Sequence, residues 1–161
     1  MLLALLILVQ TGCQHVDTSV GRITAHHCDS SPFAVAFPDS DLRITSFHIE
    51  KNAVRLSMRP PVFFRCRRGT RYSLKLVRRE RYRVFVDRTF YPGESGLPVF
   101  DSDGNCCGVV LGNTFLDGRW IGRVASFGQL KEFSSLSADR RFLLSPQTRS
   151  HLESASDSIL E

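Results

Sequence analysis

The residues best suited to chemistry lie in a glycine-flanked loop at residues 93–98, which reads Gly-Glu-Ser-Gly-Leu-Pro. A serine hydroxyl becomes an effective nucleophile when a base removes its proton and N–H donors stabilise the oxyanion that forms. Gly93 allows the backbone to bend so that its own N–H and that of Ser95 point to one spot. The loop therefore predicts acyl transfer at Ser95 with an oxyanion hole from Gly93 and Ser95, although glycine and serine are also common in ordinary turns.

Two tight turns indicate the elements that follow this loop. Apolar runs at residues 98–100 and 106–111 flank a turn at 101–105, and a second turn, Asp-Gly at 117–118, precedes an apolar run at 120–125. Asp-Gly between apolar runs is typical of a β-hairpin. The pattern predicts a three-stranded antiparallel meander directly after Ser95.

The first part of the chain also has the pattern of short strands. Residues 20–28 begin as a strand and end in polar residues, and a Pro-Asp-Ser-Asp turn separates apolar residues 33–37 from the alternating residues 42–49. Alternation of apolar and polar residues is the period of a half-buried strand. With a further short strand at 54–58, this part predicts a second β-meander.

The middle of the chain contains a break and then a hairpin. The two prolines at 60–61 interrupt the strand pattern and predict a border between two halves. Residues 72–77 and 82–86 alternate on either side of a charged turn at 78–81. Such a hairpin would hold its basic residues outward and its apolar residues inward.

Length and composition favour one all-β domain. The chain has 161 residues, of which 42% are hydrophobic and twelve are Phe, enough for one core. We expect this domain at residues 1–133, with halves at about 10–58 and 62–127 and a short helix at 129–133. Residues 134–161 are rich in Ser, Arg and acidic residues without periodicity, which predicts a flexible tail.

The positive charge is concentrated in residues 59–83, where ten Lys or Arg accompany the single acid Glu80. Such a block is typical of a solvated strand face, and also of a surface that binds RNA or an anionic membrane. For RNA, the rings of Tyr72, Tyr82 and Phe85 would be available for stacking on bases.

Neither a metal nor a cofactor is predicted. None of the five cysteines belongs to a Cys-x-x-Cys pair of the kind that marks zinc sites. A site that combined Cys28, Cys66 and Cys106 with a histidine is conceivable, but the ligand spacing is absent. An odd number of cysteines leaves at least one unpaired in a monomer.

The apolar run at residues 2–9 is too short to span a bilayer and has no basic residues before it. It fits a weak signal peptide, the end of an upstream membrane segment in a longer polyprotein, or a buried first strand. We favour the latter two because Cys13 and His15 follow almost at once.

Residues 93–112 resemble the nucleophile region of chymotrypsin-like viral serine proteases. The Pro-Val-Phe-Asp and Val-Leu-Gly stretches resemble the alphavirus capsid protease most, and the pestivirus and arterivirus non-structural proteases more generally. This resemblance implies a double β-barrel, with an N-terminal barrel that the short first half leaves incomplete, and a serine endopeptidase activity. Glu94 stands where chymotrypsins carry Asp, which argues against activation from a zymogen more than against activity.

The resemblance also implies the base. Residues 24–28, Thr-Ala-His-His-Cys, are similar to the Thr-Ala-Ala-His-Cys of the superfamily, so His27 is the expected base, with His26 and His15 as alternatives. Cys13 lies at about the distance before Cys28 at which secreted members have a disulfide partner.

The third member of the triad is expected at Asp41, because family acids precede an apolar, small-residue strand such as residues 42–47. Only 14 positions separate His27 from Asp41, which is short even for viral members. Asp39 and Glu50 are the alternatives, and an aspartate here is also an ordinary turn residue.

Substrate contacts are expected from the strand after the nucleophile and its partner, at Val110, Leu111, Gly112 and Arg123. Viral enzymes that cleave after Gln or Glu carry a histidine in the first of these strands, and here Val110 occupies that region. The resemblance therefore favours an apolar P1 residue, although Arg123 would attract an acidic one.

The leading hypothesis is an endopeptidase that processes its own viral polyprotein in the host cytoplasm or a membrane-associated replication complex. A cofactor strand or an upstream membrane segment is a further expected partner. The alternatives are a degenerate protease fold that binds RNA through residues 59–83 and a secreted cellular protease.

Overall fold

The computed structural model describes residues 13–28, 35–36, 41–46, 48–66 and 68–128. These residues form short strands joined by turns, together with a 3-10 turn at His26–Cys28. The strands, in chain order, are β1 Val16–Thr18, β2 Gly21–Ala25, β3 Val35–Ala36, β4 Leu42–Ser46, β5 Phe63–Arg65, β6 Arg71–Ser73, β7 Leu76–Glu80, β8 Arg83–Val86, β9 Pro98–Phe100, β10 Cys106–Leu116 and β11 Arg119–Ser126.

The strands form two antiparallel sheets. Sheet A has the order β1-β2-β4-β3, and sheet B has the order β6-β5-β9-β10-β11-β8-β7. The predicted all-β class is therefore confirmed. Within the described ranges the outer strands of neither sheet pair with each other, so the sheets are not closed barrels. Residues 60–61 lie in the connection between the two sheets.

Strand β10 lies at the centre of the core, because side chains on both of its faces are buried. Its residues Val109 and Leu111 pack with sheet A, while Cys107 and Val110 pack on the opposite side with strands of sheet B. Successive side chains of a strand point to opposite faces, so one strand can serve two apolar clusters. The first cluster includes residues of both sheets, which ties sheet A to sheet B.

The predicted meander after the nucleophile loop is present as β9, β10 and β11, which are neighbours in sheet B. Gly104 and Gly118 have φ of 82° and 80° in the two turns, a conformation that glycine adopts without steric cost. Strand β10 continues beyond the predicted residue 111 to Leu116, because residues 112–116 also pair with β11.

Two predicted strands are corrected. Residues 72–77 do not form one strand: β6 and β7 lie at opposite edges of sheet B, and between them Leu74 is buried. Residues 54–58 form only isolated bridges, Thr18 with Val54 and Leu56 with Cys106.

The predicted hairpin exists as β7 and β8, but its turn falls later, at residues 81–82, since Arg78 and Arg79 belong to β7. Strand β7 is exposed along its whole length, including Leu76 and Val77, because it is an edge strand. The inward apolar side chains of the hairpin are therefore those of β8.

Three predictions fall outside the described residues: the role of the apolar run at 2–9, the helix at 129–133 and the tail at 134–161. Across the ranges that are described, we find no helix with the length and apolar character needed to cross a bilayer.

Candidate active site

The nucleophile loop is a compact double turn. The N–H of Glu94 donates to the carbonyl of Tyr91 at 3.1 Å, and the N–H of Leu97 donates to the carbonyl of Glu94 at 3.1 Å. Gly93 and Gly96 both have positive φ, 91° and 90°, which lets the chain reverse on either side of the serine. Ser95 is half-buried at the apex between them.

Two N–H groups of this loop have no acceptor among the residues that the structure describes. The amide of Gly96 donates to the Val110 carbonyl at 2.8 Å, and that of Glu94 is used in the turn. Over the described ranges, no hydrogen bond uses the N–H of Gly93 or that of Ser95. Half-buried backbone donors without a partner suit a ligand oxygen, so the pair predicted as the oxyanion hole is available for that role.

The Ser95 side chain is directed at strand β10. Its Oγ donates to the carbonyl of Leu111 at 3.1 Å. The register of β10 against β11 shifts between Val110 and Gly112, so Leu111 is the extra residue of a β-bulge. A bulge turns a residue out of the ladder, which explains why this carbonyl meets a side chain from another segment. To attack a substrate, Ser95 must exchange this bond for one to a base.

His27 and Asp41 lie at the same end of sheet A. Strands β2 and β4 pair with Ala25 opposite Leu42, so the residues that follow β2 meet the residue that precedes β4. The N–H of His26 donates to the Asp41 carbonyl at 2.7 Å. The short sequence separation of His27 and Asp41 is thus compatible with spatial proximity, because the two strands are direct neighbours.

The Asp41 carboxylate is paired with an arginine rather than with a histidine. Arg83 donates to it through Nε and Nη2, both at 2.9 Å. This hydrogen-bonded guanidinium holds the pKa of Asp41 below its usual value, against a partial desolvation that raises it. Among the residues that the structure describes, no hydrogen bond joins His27 to Asp41 or to Ser95.

The surroundings of His27 favour the neutral form of its imidazole. Desolvation lowers its pKa, Arg123 and His26 lower it further, and Asp41 acts in the opposite direction. A neutral imidazole can accept a proton, which is the state a general base requires. Arg123, predicted as a substrate contact, therefore lies within electrostatic reach of both His27 and Asp41.

The alternative bases and acids have other partners. His26 accepts a hydrogen bond at Nδ1 from Arg43 at 3.3 Å. His15 lies near Asp17 and Arg22. Oε1 of Glu50 lies 3.7 Å from Nε2 of His48. Asp39 lies outside the described residues.

The two sheets are connected at the site by the segment before β1. The N–H of Gln14 donates to the Ser95 carbonyl at 2.7 Å, and the Gln14 carbonyl accepts from Thr24 Oγ1 at 2.6 Å. Gly96 lies so close that a Cβ on it would be 1.7 Å from the Gln14 oxygen. Sequence analysis missed Gln14 and Arg83, because pairings of such sequence separation leave no local pattern.

Replacement of Gly96 by Ala is expected to disrupt this connection. Both the positive φ and the backbone oxygen of Gln14 oppose a side chain, so we expect a loss of about 3 kcal/mol or more in unfolding free energy. Gly104→Ala is the matched control, since Gly104 has a similar φ of 82° and open space around its Cβ position. The control should lose only about 1–2 kcal/mol. Urea unfolding of the two variants measures the difference, and equal losses would contradict the contact.

The predicted substrate wall runs beside the nucleophile. Val110 exchanges backbone hydrogen bonds with Gly96 and Leu97, and Gly112 is paired with Arg123 across the sheet. The side chains of Val110 and Leu111 are buried, and the backbone groups of Val110 and the Leu111 carbonyl already bond to the nucleophile loop. These groups therefore support that loop.

Asn113 clamps the chain segment before the nucleophile loop. Its Oδ1 accepts from the Phe90 N–H at 2.7 Å, and its Nδ2 donates to the Phe90 carbonyl at 2.8 Å. The Phe90 ring lies over Gly122, where a Cβ would approach it to 2.4 Å. The buried Phe90 ring packs in the same apolar cluster as Val110.

The conceivable cluster of Cys28, Cys66 and Cys106 is not formed. Cys66 packs against the cluster on the far side of β10, whereas Cys28 and Cys106 belong to the cluster shared with sheet A. Cys13 and His27 are instead the near neighbours of Cys28. Burial and the adjacent Cys13 thiol raise the pKa of Cys28 to about 12.

The aromatic residues of the basic segment differ in exposure. Phe85 is buried, and Arg81 lies over the Tyr82 ring at 5.1 Å. Tyr72 is exposed, although the Arg88 guanidinium lies 4.1 Å from the centre of its ring and Phe64 stacks on it at a centroid distance of 5.5 Å. Of the stacking residues expected for RNA, Phe85 is thus out of reach, whereas the arginines of β6 and β7 are exposed.

Comparisons with known proteins give weak likenesses. No family model matches the sequence, and no curated protein matches it. Among solved structures, the chain is similar to the Rv3671c protease in an inactive form, with a TM-score of 0.49, 15% identity, and coverage of 84% of this chain and 93% of that chain. It is also similar to the MamO protease domain from Magnetospirillum magneticum in its apo form, with a TM-score of 0.42, 16% identity, and coverage of 78% and 87%. Likenesses this weak do not establish a shared activity.

Proposed function

We propose that this chain is a serine endopeptidase in which Ser95 is the nucleophile, His27 the base and Asp41 the acid. The observation that carries the proposal is the nucleophile loop, where the N–H groups of Gly93 and Ser95 have no acceptor among the described residues and the half-buried Ser95 is flanked by two glycines of positive φ. In most turns, half-buried N–H groups donate to acceptors within the protein. An oxyanion hole instead requires two N–H groups that are free to bind the substrate oxygen.

In the proposed reaction, His27 accepts the Ser95 hydroxyl proton as Oγ attacks the substrate carbonyl. The oxyanion of the tetrahedral intermediate accepts from the N–H groups of Gly93 and Ser95, and His27 then returns the proton to the departing amine. Water hydrolyses the acyl-enzyme by the same steps in reverse order. Asp41 would orient His27 and stabilise its charged form. No cofactor is required by this chemistry.

The finer proposal is a compact chymotrypsin-like enzyme of the viral type that cleaves its own polyprotein. The resemblance of residues 93–112 supports it. For specificity, the Arg123 charge near His27 would favour an acidic group close to the cleaved bond, whereas the resemblance favours an apolar P1 residue.

A fluorophosphonate probe tests the nucleophile without knowledge of the substrate. An activated serine hydroxyl displaces fluoride and forms a stable bond to phosphorus, so we expect one label, mapped to Ser95 by peptide mass spectrometry. Ser95→Ala should remove the label. Ser102→Ala is the matched control, because Ser102 is an exposed serine in the 101–105 turn, and it should leave labelling intact. A folded protein that remains unlabelled at Ser95 would refute the proposal.

A further inference from the structure

Three metal-binding side chains converge beside the candidate active site. The Sγ atoms of Cys13 and Cys28 and a ring nitrogen of His27 all lie within 4.8 Å of one another. They come from two separate segments, one before β1 and the other in the 3-10 turn after β2. Sequence spacing alone therefore does not reveal them as one group.

The backbone on both sides of this cluster is fixed by hydrogen bonds. Gln14, next to Cys13, is bonded to Ser95 and to Thr24, at 2.7 and 2.6 Å. The turn that carries His27 and Cys28 is anchored by the bond from His26 to Asp41. Hydrogen bonds thus hold in place the backbone that carries the three side chains. Small rotations of the side chains alone would adjust the distances between their ligand atoms.

The distances suit a tetrahedral ion of the zinc type. Bond lengths of about 2.3 Å to sulfur and 2.0 Å to nitrogen separate ligand atoms by about 3.3–3.8 Å, so the cluster must contract by about 1 Å. A cavity of about 210 Å³, lined by Cys13, Cys28 and His15 among others, adjoins the cluster and offers water or an imidazole as fourth ligand.

The charges of the site also fit a divalent ion. Binding would release one proton from each thiol, and the two thiolates would cancel the double positive charge of the ion. The nearby Arg123 would then face a neutral complex rather than an added cation. Two thiolates and an imidazole form a donor set that prefers Zn²⁺ to Mg²⁺ or Ca²⁺.

We propose that Cys13, His27 and Cys28 form a Zn²⁺ site, and that its occupation withholds His27 from Ser95. The binding half stands on the ligand geometry alone. The inhibitory half rests on the proposed function, because it requires His27 to be the base that activates Ser95. A neutral imidazole has one unprotonated nitrogen. If that nitrogen binds the metal, the ring cannot also accept the proton of Ser95.

Cobalt titration of the reduced, metal-free protein tests the binding half. Co²⁺ should give thiolate-to-metal charge-transfer absorption at one equivalent, and Zn²⁺ should displace it. Cys13→Ser, Cys28→Ser and His27→Ala should each weaken binding by about 100-fold or more, since even loss of an outer-shell partner costs 10- to 100-fold. Cys66→Ser is the matched control and should retain the spectrum, because Cys66 lies in the other core cluster.

A spectrum that is unchanged in Cys13→Ser and Cys28→Ser would overturn the site. So would peptide mapping that finds a disulfide between the two cysteines in the protein as purified without reductant, because that bond removes both thiolates. Fluorophosphonate labelling tests the inhibitory half: Zn²⁺ should slow labelling of the unmodified protein and of Cys66→Ser, and not of Cys13→Ser. If Zn²⁺ binds and the rate of labelling does not change, the inhibitory half is wrong. Absence of labelling at any metal concentration refutes the protease proposal instead, and the cobalt spectrum still decides the site.

Discussion

Ser95→Ala is expected to abolish self-processing of the chain expressed within its native flanking sequence. Loss of a nucleophilic serine lowers kcat by about 10⁶-fold in a well-studied serine protease, so the variant should fall to background. The measurement is the rate at which the cleaved product appears in a time course. The change should leave the fold intact, because within the described part of the chain the Ser95 side chain makes one hydrogen bond, to the Leu111 carbonyl, worth about 1 kcal/mol.

Ser102→Ala in the same flanking context is the control for this loss, and it should process at the rate of the unmodified chain. If Ser95→Ala and the unmodified chain process equally, another enzyme performs the cleavage and Ser95 is a turn residue. If neither is processed while Ser95 is labelled by the fluorophosphonate, the chain is a protease whose substrate is not its own flanks.

The fold after residue 93 could be predicted because its signals are local. Asp-Gly turns at 103–104 and 117–118 fix where the chain reverses, and the apolar runs between them are buried on both faces. The split of residues 72–77 could not be predicted in this way. Alternation of apolar and polar residues looks the same in one long strand as in two short ones. The two strands are distinguished only by their partners, since β6 pairs with β5 and β7 pairs with β8.

The candidate site was predictable to different degrees. The geometry of the loop at 93–98 depends on its own residues, since its glycines set the turns and leave two N–H groups without an acceptor among the described residues. The contacts of its partners depend on pairings between distant segments. From sequence, Arg83 belongs to the solvated basic face, because it is 42 residues from Asp41 and nothing local marks it as the partner of that carboxylate.

The ion pair between Arg83 and Asp41 has consequences for the acid. An ionised carboxylate has about four acceptor sites, and the two bonds from Arg83 leave room for a donor from His27. The same cation makes Asp41 a weaker acceptor, and it offsets part of the Asp41 charge that raises the pKa of His27. Because the pair lowers the pKa of Asp41, its stabilising effect is present above the unfolded value of 3.8 and is lost as the pH falls through the folded value.

Asp41→Asn and Arg83→Gln should therefore differ in their effects on catalysis. If Asp41 orients His27, its replacement by Asn should lower kcat by about 10⁴-fold. Arg83→Gln should retain activity within about tenfold, and the acidic limb of its pH–rate profile should move to higher pH, because Asp41 raises the pKa of His27 and would no longer be paired with the guanidinium. Arg79→Gln, which removes a cation from the exposed strand β7, is the matched control and should leave that profile in place. If Asp41→Asn retains full activity and Arg83→Gln leaves the profile unmoved, Asp41 serves only as the structural partner of Arg83, and the acid of the triad must be sought elsewhere in the chain.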